Sequence, residues 1–150
     1  MSLIEQVEEI ALPVVSEKNA FIVEIALRGN QGQKVLELFL DTDTGVTTEQ
    51  CAEISRTLSH ALDAAGLIRG RYHLVVSSPG TDRPLKFPRQ YVKHVGRTLT
   101  VRMNEGDRVT RVDGILIVAT TAGIVLEPEN ADPRTVTFEE IVEARVRTPW

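Results

Sequence analysis

Ser77-Ser78-Pro79-Gly80-Thr81-Asp82-Arg83-Pro84 divides the chain. Its two prolines and one glycine interrupt every hydrophobic period that runs into it, as a turn or a domain junction does. Upstream, apolar residues recur at helical spacing and then alternate, twice over. Downstream, one short basic stretch is followed by short alternating runs. The expected domains are therefore 1–82 and 83–150 of a 150-residue chain. Domains this small bury only about 60% of their unfolded surface, which leaves little depth for an active-site cleft.

The upstream half reads as helix, strand, strand, helix, strand. Ser2 and Glu5 have capping-box spacing, and Leu3, Val7, Ile10 and Val14 follow at helical intervals. Pro13 lacks the N–H for the Glu9 carbonyl and is expected to kink or end this helix. Phe21, Val23, Ile25 and Leu27 alternate as a strand. Gly29-Asn30-Gln31-Gly32 then turns the chain into a second strand, Lys34 to Asp41. Thr47 and Gln50 form another capping box, with Val46 and Cys51 at hydrophobic-staple positions. The stripe Cys51, Ile54, Leu58, Ala61, Leu62 and Ala65 ends at Gly66, and Glu49, Glu53, Arg56 and Asp63 face the other way. A third strand covers about Arg71 to Ser77.

The downstream half predicts one short basic helix over Phe87 to Val95. Five strands follow: Arg97–Met103, Arg108–Ala119, Ile124–Glu127, Arg134–Phe138 and Val142–Val146. Gly114 lies inside the longest strand, where a small barrel would bend sharply. The fold class expected is α+β: an N-terminal α-β-β-α-β domain followed by a small SH3-like (Sm-like) β-barrel.

Composition narrows the function. Apolar residues make up 42% and charged residues 25%, ordinary for a globular chain. The single cysteine, Cys51, excludes an intramolecular disulfide and a multi-thiolate zinc site, and fits a reducing compartment. No apolar run approaches the roughly 18 residues of a membrane helix. The acidic, amphipathic start does not read as a signal peptide, so a cytoplasmic location is expected. The net charge of −4 is unevenly spread. Residues 1–82 carry 6 basic and 12 acidic side chains, residues 83–111 carry 8 and 2, and residues 112–150 carry 3 and 7. An acidic half suits a basic protein surface, and a basic segment suits phosphates.

Leu38-Phe39-Leu40-Asp41-Thr42-Asp43 supplies the enzymatic alternative. A strand ending in Asp-x-Asp resembles the first motif of haloacid-dehalogenase-type phosphatases, in which Asp41 would attack phosphorus and Asp43 would serve as acid/base, with magnesium. The hairpin reading of the first two strands conflicts with the parallel sheet this chemistry uses, and no later strand ends in an acidic pair. A calcium loop starting at Asp41 fails because its twelfth position is Ala52. His60, His73 and His94 are scattered, Cys51 sits on an apolar face, and neither a P-loop nor a G-x-S-x-G elbow is present. The basic segment is the stronger signal. Arg83, Lys86, Arg89, Lys93 and Arg97 recur every three or four residues and would form one cationic stripe on a helix, which Arg69 and Arg71 could extend. Phe87 and Tyr91 interleave with it, either as a base-stacking surface or packed on the barrel beneath a merely solvated face.

Tyr72-His73-Leu74-Val75-Val76-Ser77-Ser78-Pro79-Gly80-Thr81-Asp82-Arg83-Pro84-Leu85 closely resembles the hallmark of the bacterial ribosome maturation factor RimP family. Leu40-Asp41, Gly45-Val46-Thr47 and the run Cys51 to Ser59 look like that family's second strand and helix. Gly96-Arg97, Phe138 to Ile141 and Ala144 to Val146 look like its barrel. The sequence departs from the pattern at Val75, usually glutamate, and at Thr81, usually aliphatic. The resemblance implies a non-enzymatic assembly factor without cofactor or metal, which binds the free 30S subunit during its maturation. The expected partners are 16S rRNA, met by Arg69, Arg71, Arg83, Lys86, Arg89, Lys93 and Arg97, and a basic small-subunit ribosomal protein, met by Glu49 and Glu53. A monomer is expected. Ser78, Pro79, Gly80, Asp82, Arg83 and Pro84 would form the junction that fixes the angle between two recognition surfaces, with Pro79-Gly80 as a type II turn.

Overall fold

The computed structural model describes residues 1–29, 33–80 and 83–147. Asn30 to Gly32 of the expected hairpin turn, and Thr81 and Asp82 of the junction, lie outside the described residues. The chain forms two compact units, Met1–Pro79 and Gly80–Trp150.

In the first unit, α1 (Leu3–Glu17) starts at Ser2, whose Oγ accepts the Glu5 N–H at 3.1 Å. Its most buried positions are Val7, Ala11 and Val15, four residues apart. The helix does not end at Pro13, one of the two outcomes expected there, but continues through it to Glu17. Proline removes one backbone bond there, but Ala11 and Val15 on either side are sealed in the core, and packing carries most of a helix's stability. β1 (Phe21–Arg28) and β2 (Lys34–Asp41) pair antiparallel, with a bulge between Ile22 and Glu24. α2 (Thr48–Ala65) then crosses to β3 (Tyr72–Ser77), which pairs parallel with β2 and places Leu36 beside Leu74 and Leu38 beside Val76. The sheet order is β1-β2-β3. Leu36, Leu38 and Leu40 meet Val7, Ala11, Val15, Ile54, Leu58 and Leu62 in one core, so the two-residue period of β2 and the helical periods bury the same face.

The boundaries of α2 follow from its caps. Thr47 Oγ1 accepts the Gln50 N–H at 3.1 Å, and Gln50 Oε1 accepts the Thr47 N–H at 2.8 Å. Gly66 ends the helix in the left-handed region at φ +61°.

The second unit begins with two single 3-10 turns, Pro88–Gln90 and Val92–His94, in place of the one helix expected over 87–95. Five strands follow: β4 (Thr98–Glu105), β5 (Arg108–Ala119), β6 (Gly123–Pro128), β7 (Arg134–Thr137) and β8 (Ile141–Val146). They pair antiparallel in the order β7-β6-β5-β4-β8. Leu99, Val101, Met103, Leu116, Ile124, Leu126, Val136 and Ala144 form their core. Among the described residues β7 and β8 do not pair, so the strands make an open sheet and not the closed barrel expected. Closure needs consistent strand tilt and stagger, and β7 pairs with β6 along one edge only, over four residues. The irregularity in β5 falls at Leu116/Val118; at Gly114, a Cβ would stand 3.0 Å from the Glu127 carbonyl oxygen, so the glycine admits β6.

Candidate nucleic-acid interface

The basic segment 83–97 is stitched to the second sheet at both ends. The Leu85 N–H bonds the Ala144 carbonyl of β8 at 2.8 Å. The Gly96 N–H bonds the Leu116 carbonyl of β5 at 2.7 Å, and the Leu116 N–H returns to Arg97 at 2.9 Å. Between these anchors, Gln90 is 1% exposed, and its side-chain oxygen accepts the backbone N–H groups of Lys86 and Phe87 at 2.7 and 2.8 Å. This fold-back shapes the backbone that carries Lys86 and Arg89.

Gln90 is the positioning residue that the sequence reading missed. Its signal was present: proline at the first helical position with glutamine two residues later is a helix-start pattern.

The cations are placed unevenly. Lys86, Arg89 and Arg97 are exposed, whereas Arg83 and Lys93 are half-buried. Lys86 Nζ lies over the Phe87 ring, 5.6 Å from its centroid. The single stripe rested on a continuous helix, and two 3-10 turns broken at Tyr91 do not provide it. Tyr91 is not a stacking platform for bases. It is 2% exposed, and its ring packs on Phe138 with centroids 5.1 Å apart at 58°. Burial pushes its phenol up to about 12.

Arg69 and Arg71 belong to the first unit, exposed on the loop that enters β3. Arg71 borders an open cleft of about 590 Å³ shared with Gln33, Ser59, Asp63 and Tyr72. Inside it the Tyr72 hydroxyl donates to Asp63 Oδ1 at 2.9 Å, and burial together with that bond pushes Tyr72 up to about 12.

Glu49 and Glu53 lie exposed on the first turns of α2. Lys18, which follows α1, places its Nζ 3.0 Å from Glu53 Oε2. The hydrogen bond and the ammonium charge hold the Glu53 carboxyl below its ordinary value and raise Lys18. Glu49 forms no such link with Lys18.

Ser78 and Gly80 are exposed, whereas Pro79, Arg83 and Pro84 are half-buried. Gly80 has φ +64°, in the left-handed region that favours glycine, and the turn expected at Pro79-Gly80 runs into Thr81, outside the described residues. Asp82, the remaining residue of the expected junction, is outside the described residues.

Asp41 ends β2, 5% exposed, with its Oδ1 accepting the Thr42 N–H at 2.9 Å. Thr42 in turn accepts the Thr44 N–H at 3.3 Å, so the motif is a hydrogen-bonded turn at a strand end. Its strand has one antiparallel neighbour and one parallel neighbour. Among the described residues no group of three or more His, Cys, Asp or Glu could hold a metal ion. The phosphatase alternative draws no support from this arrangement. Cys51 is buried, and burial pushes its thiol up. Among the described residues no helix is long and apolar enough to cross a membrane.

A family model described as the RimP N-terminal domain matches residues 10–82. A curated relative, the ribosome maturation factor RimP of Cytophaga hutchinsonii, is 33% identical over 138 residues, a match covering 81% of each chain. The chain belongs to the RimP ribosome maturation factor family.

Proposed function

We propose that this protein is a non-enzymatic ribosome maturation factor that binds the free 30S subunit and assists its assembly in the cytoplasm, as a monomer without cofactor or metal. The observation that carries the reading is the match to a ribosome maturation factor across 81% of the chain, beyond the first unit alone. The charge distribution supports it. The acidic α2 face, with Glu49 and Glu53, would dock on a basic ribosomal protein. Arg83, Lys86, Arg89, Lys93 and Arg97 of the second unit, with Arg69 and Arg71 of the first, would meet rRNA phosphates. Ser78, Pro79, Gly80, Asp82, Arg83 and Pro84 would form a stiff connection between the two surfaces. The second sheet would act as an SH3-like recognition module.

Co-sedimentation with purified 30S, 50S and 70S particles tests the reading. Binding to free 30S in preference to 70S is expected; equal binding to all particles, or to none, refutes it. The companion test is Asp41→Asn. It should leave 30S binding near the wild-type level, with no phosphate released from phosphoesters in magnesium buffer by either protein.

A further inference from the structure

The outer face of β4, β5 and β8 carries an arginine lattice that lies apart in sequence from the 83–97 segment. Leu99, Val101 and Met103 of β4 point into the core, so Thr98, Thr100 and Arg102 point out. The register sets Arg102 opposite Arg111 of β5 and Glu143 of β8, and sets Thr100 opposite Asp113 and Arg145. Arg147 continues the same face beyond Arg145 and is tied to β4 by its N–H bond to the Thr98 carbonyl at 2.9 Å.

Each carboxylate serves two guanidiniums. Asp113 accepts two bonds from Arg111, at 3.2 and 3.1 Å, and a third from Arg147 at 3.5 Å. Glu143 lies 3.3 Å from Arg145 and 3.8 Å from Arg102. The side chains of Glu143 and Asp113 are 31% and 37% exposed, while those of the arginines range from 42% to 61%. The carboxylates therefore lie lower in the face and hold the guanidiniums in place, and the set as a whole keeps a surplus of positive charge.

Arg102 faces Arg111 across the strand pair, and like charges so placed repel. Glu143 and Asp113 offset part of that repulsion, and the four arginines set against these two carboxylates leave positive charge to share with a polyanion. An immobilised guanidinium fork suits phosphate oxygens and loses little freedom on binding.

We propose that the outer face of β4, β5 and β8, through Arg102, Arg111 and Arg147, is a second RNA-binding surface that grips the phosphate backbone without reading sequence. It rests on the ribosomal reading above and adds a surface to it. RNA suits the face because a strand supplies a regular row of phosphates, and guanidinium contacts to phosphates carry affinity without reading base edges.

The experiment is salt-dependent binding of the full chain to purified 16S rRNA and to free 30S. Each phosphate contact contributes about 0.7 to 0.9 to the slope of log K against log salt. Arg102→Glu with Arg111→Glu should therefore flatten the slope on 16S rRNA by about 1.4 to 1.8. Arg102→Gln with Arg111→Gln should flatten it similarly without creating carboxylate pairs beside Glu143 and Asp113, which covers a charge reversal that disturbs the sheet. Arg102→Lys with Arg111→Lys should keep the wild-type slope. Variants that melt like wild type yet keep its slope and affinity overturn the proposal. So does a loss of affinity for 30S with unchanged binding to 16S rRNA, which would give the face to a protein. If the wild type fails to bind 30S, the ribosomal reading falls; if it binds and only these variants are silent, the face alone falls.

Discussion

Gln90 holds Lys86 by its backbone: the buried glutamine oxygen accepts the Lys86 N–H at 2.7 Å and the neighbouring Phe87 N–H at 2.8 Å. Replacing the acceptor leaves two partly buried donors without it. Gln90→Leu preserves bulk and should destabilise the second unit by about 1–3 kcal/mol. Urea denaturation checks the cost. Because Lys86 and Arg89 ride on the backbone that Gln90 shapes, the variant should also weaken RNA binding while deleting no charge. Wild-type stability and binding in Gln90→Leu would mean that the turn is set by Pro88 alone.

The two tyrosines give a pH prediction. Tyr72 and Tyr91 are the only ones in the chain, and both phenols are pushed from an ordinary value of 10 to about 12. Burial favours the neutral form, so the stabilising contribution is complete below pH 10 and is lost as pH rises towards 12. For the buried Tyr91, two pK units correspond to a loss on the order of 2–3 kcal/mol. Tyrosinate absorbance should rise near pH 12 in the native protein and near pH 10 in denaturant. Tyr91→Phe should flatten the alkaline decline of stability. A native titration near pH 10 would contradict the burial of Tyr91 and the Tyr72–Asp63 bond.

The order of the first unit was legible because its signals are local. Thr47 with Gln50 marks a start, Gly66 marks a stop, and Leu36, Leu38 and Leu40 mark a face. The helix runs past Pro13 because the packing of Ala11 and Val15, which no local signal reveals, outweighs one lost hydrogen bond. Over 87–95, cations at helical spacing suggested a helix, but the burial of Tyr91 and Gln90 dictated two tight turns. The arginine face was invisible to any windowed charge count. Residues 112–150 are acidic as a stretch, yet Arg145 and Arg147 from that stretch are brought by strand pairing to the side of Arg102 and Arg111.

The α2 cap offers a stability test. Thr47 and Gln50 each satisfy the other's backbone N–H. Thr47→Ala should cost about 1 kcal/mol in chemical denaturation. Gln50→Ala on the Thr47→Ala background should cost less than Gln50→Ala alone, because the box acts as a unit. Additive losses would show that the two bonds act independently.

The division of recognition between the two units can be tested with three charge reversals. Glu53 is bound to Lys18, so reversing its charge would disturb the α1–α2 link as well as the surface. Glu49→Lys is the cleaner probe, although it places a cation at a helix N-terminus and should cost about 0.3–1 kcal/mol. Lys93 is half-buried, so the matching change in the second unit is Arg89→Glu with Arg97→Glu, both at exposed positions. Glu49→Lys should weaken binding to an isolated basic ribosomal protein and leave 16S rRNA binding unchanged. The double arginine reversal should do the opposite, and its RNA affinity should lose part of its salt dependence. Thermal melts of each variant separate lost contacts from lost structure. If the arginine reversal melts like wild type and binds 30S and 16S rRNA as tightly, the basic segment is a solvated face and its assignment to RNA fails. If Glu49→Lys weakens RNA binding instead, the acidic surface is not a protein-docking face.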